Sequence, residues 1–278
     1  MSNNYAHPEA IVDPQWLVDH LHDPNIRIVE LDMTSQAYDA NHIPGAVFWN
    51  AFTDFMFPNQ RMNFDVNNFE QLLARSGITN DSIVITYGGH PATGGCLFWL
   101  LKVFGHNDVR VLNGGRRNWI AEGLPLSDVK PIITPTQYRA QNPDVDLRAF
   151  SEDVRESIKK EDRVLVDVRS HQEYNGEWFM MKPPEPNERA GHIPSAIHLN
   201  CELAVNDDGT FKSVEELQTL YSEKGITADK AVITYCAIGA RSAYTWFILK
   251  YLLGYPHVRN YDGSWNEWSQ ISDAQIEK

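Results

Sequence analysis

Short blocks of apolar residues alternate along this chain with longer stretches whose apolar positions recur at helical spacing. "RVLVDVR" (Arg163 to Arg169) and "AVITY" (Ala231 to Tyr235) are apolar runs of strand length, the kind buried on both faces of a parallel sheet. "SVEELQTLYSEKG" (Ser213 to Gly225) predicts a helix, because Ser213 and Glu216 have capping-box spacing and Gly225 supplies a stop. "SAYTWFILKYLLG" (Ser242 to Gly254) is apolar almost all round, which predicts a helix packed on several sides and ending at Gly254. Strand, helix, strand, helix in this order predicts an α/β fold built on a mostly parallel sheet.

The same pattern occurs twice. "GITNDSIVITYG" (Gly77 to Gly88) matches "GITADKAVITYC" (Gly225 to Cys236), "NHIPGAVFWN" (Asn41 to Asn50) matches "GHIPSAIHLN" (Gly191 to Asn200), and "FGHNDVRVLNGGRRNW" (Phe104 to Trp119) matches "LGYPHVRNYDGSWNEW" (Leu253 to Trp268). The displacements are 148, 150 and 149 positions in unbroken order, so the repeating unit is a whole domain. Prolines cluster without periodicity between Leu124 and Phe150, which puts the seam there. The expected organisation is a first domain over residues 1–127, a linker over 128–147 and a second domain over 148–278.

Composition narrows the function. A chain of 278 residues, 42% hydrophobic, can bury a sizeable core. The opening "MSNNYAHPEAIVDP" has neither a charged nor an apolar targeting segment, and no apolar run reaches the length of a membrane span, so a soluble, cytoplasmic protein is expected. A net charge of −13 argues against nucleic acid and anionic membrane as partners, and an anionic small substrate would need a local basic patch. The three cysteines, Cys96, Cys201 and Cys236, are odd in number and far apart, with no C-x-x-C pair for zinc or dithiol chemistry.

The duplication supplies an internal comparison. What both halves keep is needed for the fold; what one half alone has is a candidate for chemistry. His42 and His192 recur in one context, as do Trp119 and Trp268, and are read as structural. Cys236 faces Gly88, and Arg241 faces Ala92 or Thr93. If Tyr235 ends a strand and Ser242 begins a helix, C-A-I-G-A-R forms a tight loop at the carboxyl edge of the sheet, where such sheets bind ligands. Loop N–H groups, a helix N-terminus and an arginine are the surroundings that favour a thiolate. Cys96, in "GGCLFWLL", and Cys201, without a cationic neighbour in sequence, are expected to be buried and inert.

These residues resemble the rhodanese superfamily, specifically the tandem-domain thiosulfate and 3-mercaptopyruvate sulfurtransferases, through "HIPGA" (His42 to Ala46), "GHIPSA" (Gly191 to Ala196), "CAIGARS" (Cys236 to Ser242) and "YDGSWNEW" (Tyr261 to Trp268). The resemblance covers nearly the whole chain. It implies two rhodanese-like α/β domains, the first silent and the second carrying the nucleophile. It also implies a cycle in which Cys236 takes sulfur from a small anionic donor as a persulfide and yields it to a thiophilic acceptor such as cyanide or a thiol. Ala237, Ile238, Gly239 and Ala240 would hold the sulfur with their backbone, Arg241 the donor's oxygens, and Arg189 is the expected second cation. No metal or organic cofactor is implied. The form C-x-x-G-x-R-S is similar to prokaryotic two-domain enzymes assigned to thiosulfate, which favours that donor over 3-mercaptopyruvate.

Two rival readings remain. A cysteine-dependent phosphatase or arsenate reductase uses C-x5-R, whereas this loop is C-x4-R, a smaller ring suited to a sulfur atom. A non-catalytic sulfur carrier or binding module would share the loop without turnover. The second half also carries an insertion, "YNGEWFMMKPPEPNE" (Tyr174 to Glu188), that could wall a pocket or seal an interface. Arg169 is expected to support the fold by pairing with a carboxylate such as Glu173.

Overall fold

The computed structural model describes residues 4–278. The first half contains strands β1 (Ile11–Val12), β2 (Ile26–Asp32), β3 (Val47–Asn50), β4 (Ile83–Gly88) and β5 (Val109–Leu112), with helices α1 (Pro14–His20), α2 (Gln36–Ala40), α3 (Val66–Arg75), α4 (Pro91–Val103) and α5 (Gly115–Ala121). The second half contains β6 (Arg148–Ala149), β7 (Arg163–Asp167), β8 (Ile197–His198), β9 (Ala231–Tyr235) and β10 (Val258–Tyr261), with α6 (Ser151–Ser157), α7 (His171–Tyr174), α8 (Val214–Ser222), α9 (Ala240–Phe247) and α10 (Ser264–Trp268).

The two five-stranded sheets have orders β1-β5-β4-β2-β3 and β6-β10-β9-β7-β8, which are the same order under the duplication. All strand pairs within them are parallel, as the continuous apolar runs require. The predicted capping box at Ser213 is formed: its hydroxyl accepts from the Glu216 N–H at 3.3 Å, and the Glu216 carboxylate accepts from the Ser213 N–H at 3.0 Å.

The all-round apolarity of the Ser242–Gly254 stretch has its cause in the packing between the halves. Helices α4 and α9 lie against each other, so each is covered by its own sheet and by its twin. At Gly95 an added Cβ would fall 2.9 Å from the Tyr244 Cα, so glycine is what permits this approach. Phe98 meets Phe247 edge-on at 4.7 Å, and one core runs from Val29 through α4 and α9 to Val258. The helix begins at Ala240, two residues earlier than expected, and passes into a π-turn over Ile248–Leu252 before Gly254 stops it at φ 72°. Among the described residues no helix is long and apolar enough to cross a membrane.

His42 and His192 occupy matching positions. Each stacks on a tyrosine, Tyr38 at 4.0 Å and Tyr174 at 3.7 Å, and each Nδ1 bonds that tyrosine's carbonyl. Their backbones pair with Ser127 and Glu277, so the two His-Ile-Pro segments tie down the end of each half.

Candidate active site

Strand β9 ends at Tyr235, and α9 starts four residues after Cys236, so the chain must turn sharply at the carboxyl edge of the second sheet. Gly239 makes that turn at φ 92°, and a Cβ there would stand 2.7 Å from the Asp262 carbonyl oxygen. The turn points the Gly239 N–H at the Cys236 sulfur, 3.1 Å away. Ser242 Oγ and Asn260 Nδ2 both donate to the Gly239 carbonyl, at 3.1 and 3.2 Å, and so hold the peptide on the far side of the same residue. From the other side, the N–H groups of Trp265 and Asn266 donate to the carbonyls of Cys236 and Ala237, both at 2.9 Å.

Ser264 completes the cradle, and reading the sequence missed it. Its hydroxyl accepts from the Cys236 N–H at 2.9 Å and lies 4.0 Å from the sulfur. It is fully buried and held at φ 50°, a conformation that disfavours serine; its counterpart is Gly115, at φ 53°. A serine retained where the other half has glycine was the available signal.

The other thiols sit differently. Burial pushes both Cys96 and Cys201 up to about 12, and neither lies in a turn of this kind.

The arginines are partnered otherwise than expected. Arg169 does not pair with Glu173: its Nε and Nη2 donate to the two oxygens of Asp167 at 2.9 and 2.6 Å, and its Nη2 also reaches the Gly191 carbonyl. Glu173 is instead held by Arg241, whose Nη1 and Nη2 donate to its two oxygens, each at 2.8 Å. Burial opposes the charge on Glu173, but the Arg241 fork outweighs it and holds the carboxyl below its usual range. Arg189, the expected second donor-binding cation, directs its guanidinium to the carbonyls of Ser269, Ile271 and Ala274, where it clasps the C-terminal segment.

The structure also fixes the alignment of the two loops. Thr86 and Thr234 each donate to the carbonyl eight residues on, Gly94 and Ser242, so Arg241 corresponds to Thr93. At Gly88 a Cβ would fall 2.2 Å from both the Leu31 carbonyl oxygen and the Thr93 hydroxyl. Gly88→Cys in a Cys236→Ser background is therefore expected to give no cyanide-dependent turnover and to lose about 1–3 kcal/mol of stability. A thermal melt with a thiocyanate assay checks both, and turnover at the first loop would overturn the internal comparison.

Each half also lends a hairpin to the other. Phe211, beyond the turn at Gly209, packs with Tyr244 over the Gly88 loop, leaving a cavity of about 10 Å³. The hairpin between Met56 and Met62 reaches the Cys236 side: Asn59 accepts from Asn266, and Arg61 pairs with Glu267. That contact is partly exposed, so the hairpin reaches the rim beside the second loop.

The rhodanese-like domain model matches residues 13–122 and again 151–271. "Sulfur carrier protein TtuD" of Thermus thermophilus is 47% identical over 99% of this chain and 98% of its own length. "Putative thiosulfate sulfurtransferase" of Haloferax volcanii is 40% identical over 100% and 99%, and that of Mycolicibacterium smegmatis 42% over 98% and 99%. Among solved structures, EanB in a cysteine persulfide form with ergothioneine superposes with a TM-score of 0.87 at 26% identity, covering 99% of this chain and 71% of that one. The anaerobic ergothioneine biosynthesis enzyme of Chlorobium limicola with trimethyl histidine gives 0.86 at the same identity and coverage. With two matched domains, one twin-sheet fold and full-length relatives, this chain belongs to the rhodanese-like sulfurtransferase family.

Proposed function

We propose that the protein transfers sulfane sulfur through a persulfide on Cys236, with thiosulfate as a donor. The observation that carries this reading is the Gly239 N–H aimed at the Cys236 sulfur from a turn that only glycine makes easily. In the first step a lone pair of the Cys236 thiolate attacks the outer sulfur of thiosulfate. A sulfur–sulfur bond forms to Sγ, the bond to the sulfonate sulfur breaks, and its electron pair leaves with sulfite. The negative charge now rests on the terminal sulfur, where oriented backbone dipoles stabilise it without reorganising. In the second step cyanide or a thiolate attacks that terminal sulfur, and the electron pair returns to Cys236.

Of residues 237–240, Gly239 directs its N–H at the sulfur, and Ala237 and Gly239 are buried, whereas Ile238 and Ala240 are partly exposed. Arg241 stands in the first turn of α9, and its charge is shared with Glu173.

A second reading, as a carrier that loads sulfur and passes it to one partner, is supported by the likeness to the Thermus thermophilus sulfur carrier. Incubation with thiosulfate or 3-mercaptopyruvate, followed by intact mass and steady-state kinetics with cyanide, separates the cases. Thiosulfate is expected to add one sulfur atom to the protein and to sustain turnover. Loading without turnover would favour the carrier, and loading by 3-mercaptopyruvate alone would replace the donor.

A further inference from the structure

We infer that Glu173 is a specificity-determining positioning residue: by holding the Arg241 fork it makes the mouth of the Cys236 loop charge-neutral, and so favours donors whose sulfane end carries a single negative charge over dianionic thiosulfate. This rests on the reading of Cys236 as the persulfide site.

The pair is present only where the nucleophile is. Aligned on the stacked tyrosine and histidine that both halves share, Glu173 corresponds to Ala37, and Arg241 corresponds to Thr93. An ion pair needed only for the fold would have a reason to recur in both sheets, and this one does not. Its geometry is also fully committed. Both oxygens of Glu173 accept from Arg241, Oε2 accepts in addition from the Ser170 N–H at 3.0 Å, and the residue is 1% exposed, so the carboxylate cannot turn aside into water. Arg241 remains 23% exposed at its side chain, so it can still face an incoming donor.

The surrounding arginines are balanced in the same way. Arg148 forms a bidentate pair with Asp262, Arg61 pairs with Glu267, and Arg169 pairs with Asp167. Among the described residues, each arginine named here on that edge of the second sheet has its carboxylate. A dianion brought to such a mouth is attracted by Arg241 and repelled by Glu173 behind it, so the carboxylate cancels part of an attraction that would otherwise grow with the donor's charge.

The probes are thiosulfate and benzenethiosulfonate, which present the same kind of outer sulfur with two negative charges and one. Either reaction is balanced: Cys236 gains the outer sulfur, and sulfite or benzenesulfinate leaves with the bonding pair. Glu173→Gln is expected to lower the KM for thiosulfate about tenfold with kcat little changed, and to shift kcat/KM for benzenethiosulfonate less than about threefold. Arg241→Ala, which exposes the donor to Glu173 alone, is expected to move thiosulfate the opposite way, about tenfold or more.

A readout on the unsubstituted protein covers the case in which these variants do not fold. If the mouth is neutral, raising ionic strength from about 0.05 to about 0.5 M should not raise the KM of thiosulfate more steeply than that of benzenethiosulfonate, since the net charge of −13 repels the dianion more and salt relieves that repulsion. An equal fall for both donors in Glu173→Gln, or a wild-type KM that rises with salt much more steeply for thiosulfate, would overturn the inference while leaving the persulfide site in place. If neither donor adds sulfur to Cys236 in the wild type, the persulfide reading itself is wrong.

Discussion

Cys236→Ser is expected to abolish persulfide loading and to lower sulfur transfer by about a thousandfold or more, while Cys96→Ser and Cys201→Ser keep most of it. The asymmetry follows from where the three thiols sit. Cys96 lies within α4 under the paired helices and Cys201 just after β8; both are buried, with thiols pushed up to about 12, where almost none is thiolate at neutral pH. Cys236 is equally buried as a residue, but a backbone N–H lies 3.1 Å from its sulfur and the end of a helix begins four residues on. Serine keeps the cradle, including the contact from its own N–H to Ser264, so the variant isolates the loss of the nucleophile from loss of the loop. Intact mass after thiosulfate treatment reads it directly: one added sulfur in the wild type and none in Cys236→Ser. An unchanged gain in Cys236→Ser would move the site to another thiol.

The features legible in the sequence were those governed by period and by repetition. Buried parallel strands read as apolar runs, and three matched blocks at nearly one displacement gave the twin sheets and the position of the candidate loop. What escaped was the choice of partners by long polar side chains, because that choice depends on which elements the fold brings together. Arg169 and Glu173 are four apart, which on a helix would make them neighbours, but Arg169 precedes α7 and folds back onto Asp167. Glu173 is thereby left to Arg241, 68 residues away in sequence. Arg189 looked like a basic residue placed beside the site, yet carbonyls of the C-terminal segment, more than 80 positions later, are its partners. Helix α9 starts two residues before the apolar pattern predicts, for a local reason: Gly239 in the left-handed conformation acts as the cap, so Ala240 and Arg241 already belong to the helix.

Arg169→Met is expected to destabilise the protein by about 3–5 kcal/mol, the range for removing one partner of a buried ion pair. Both Arg169 and Asp167 are fully buried, and the guanidinium links the end of β7 to the carbonyl of Gly191 just before the His-Ile-Pro segment. The first half solves the same problem from another element. Arg116, on α5, pairs with Glu30 on β2 and donates to the carbonyls of Ala37 and Asn41, the latter corresponding to Gly191. Each half thus places one arginine under its histidine turn, although the two arginines are not matched in sequence; Trp265 stands where Arg116 would be, and the Arg169 guanidinium lies 4.6 Å from its ring. That convergence is the argument that the position requires a cation. In Arg169→Met, Asp167 keeps a 3.0 Å bond from the residue 169 N–H but loses its counter-charge in a site without water access. Urea unfolding should show a lower midpoint with an unchanged slope, since the core shared by α4 and α9 makes the two halves unfold together. Adding Asp167→Asn to Arg169→Met removes the orphaned charge and should recover a large part of the loss. A loss below about 1 kcal/mol in the single variant, or no recovery in the double, would mean that the pair is not what anchors this end of the sheet.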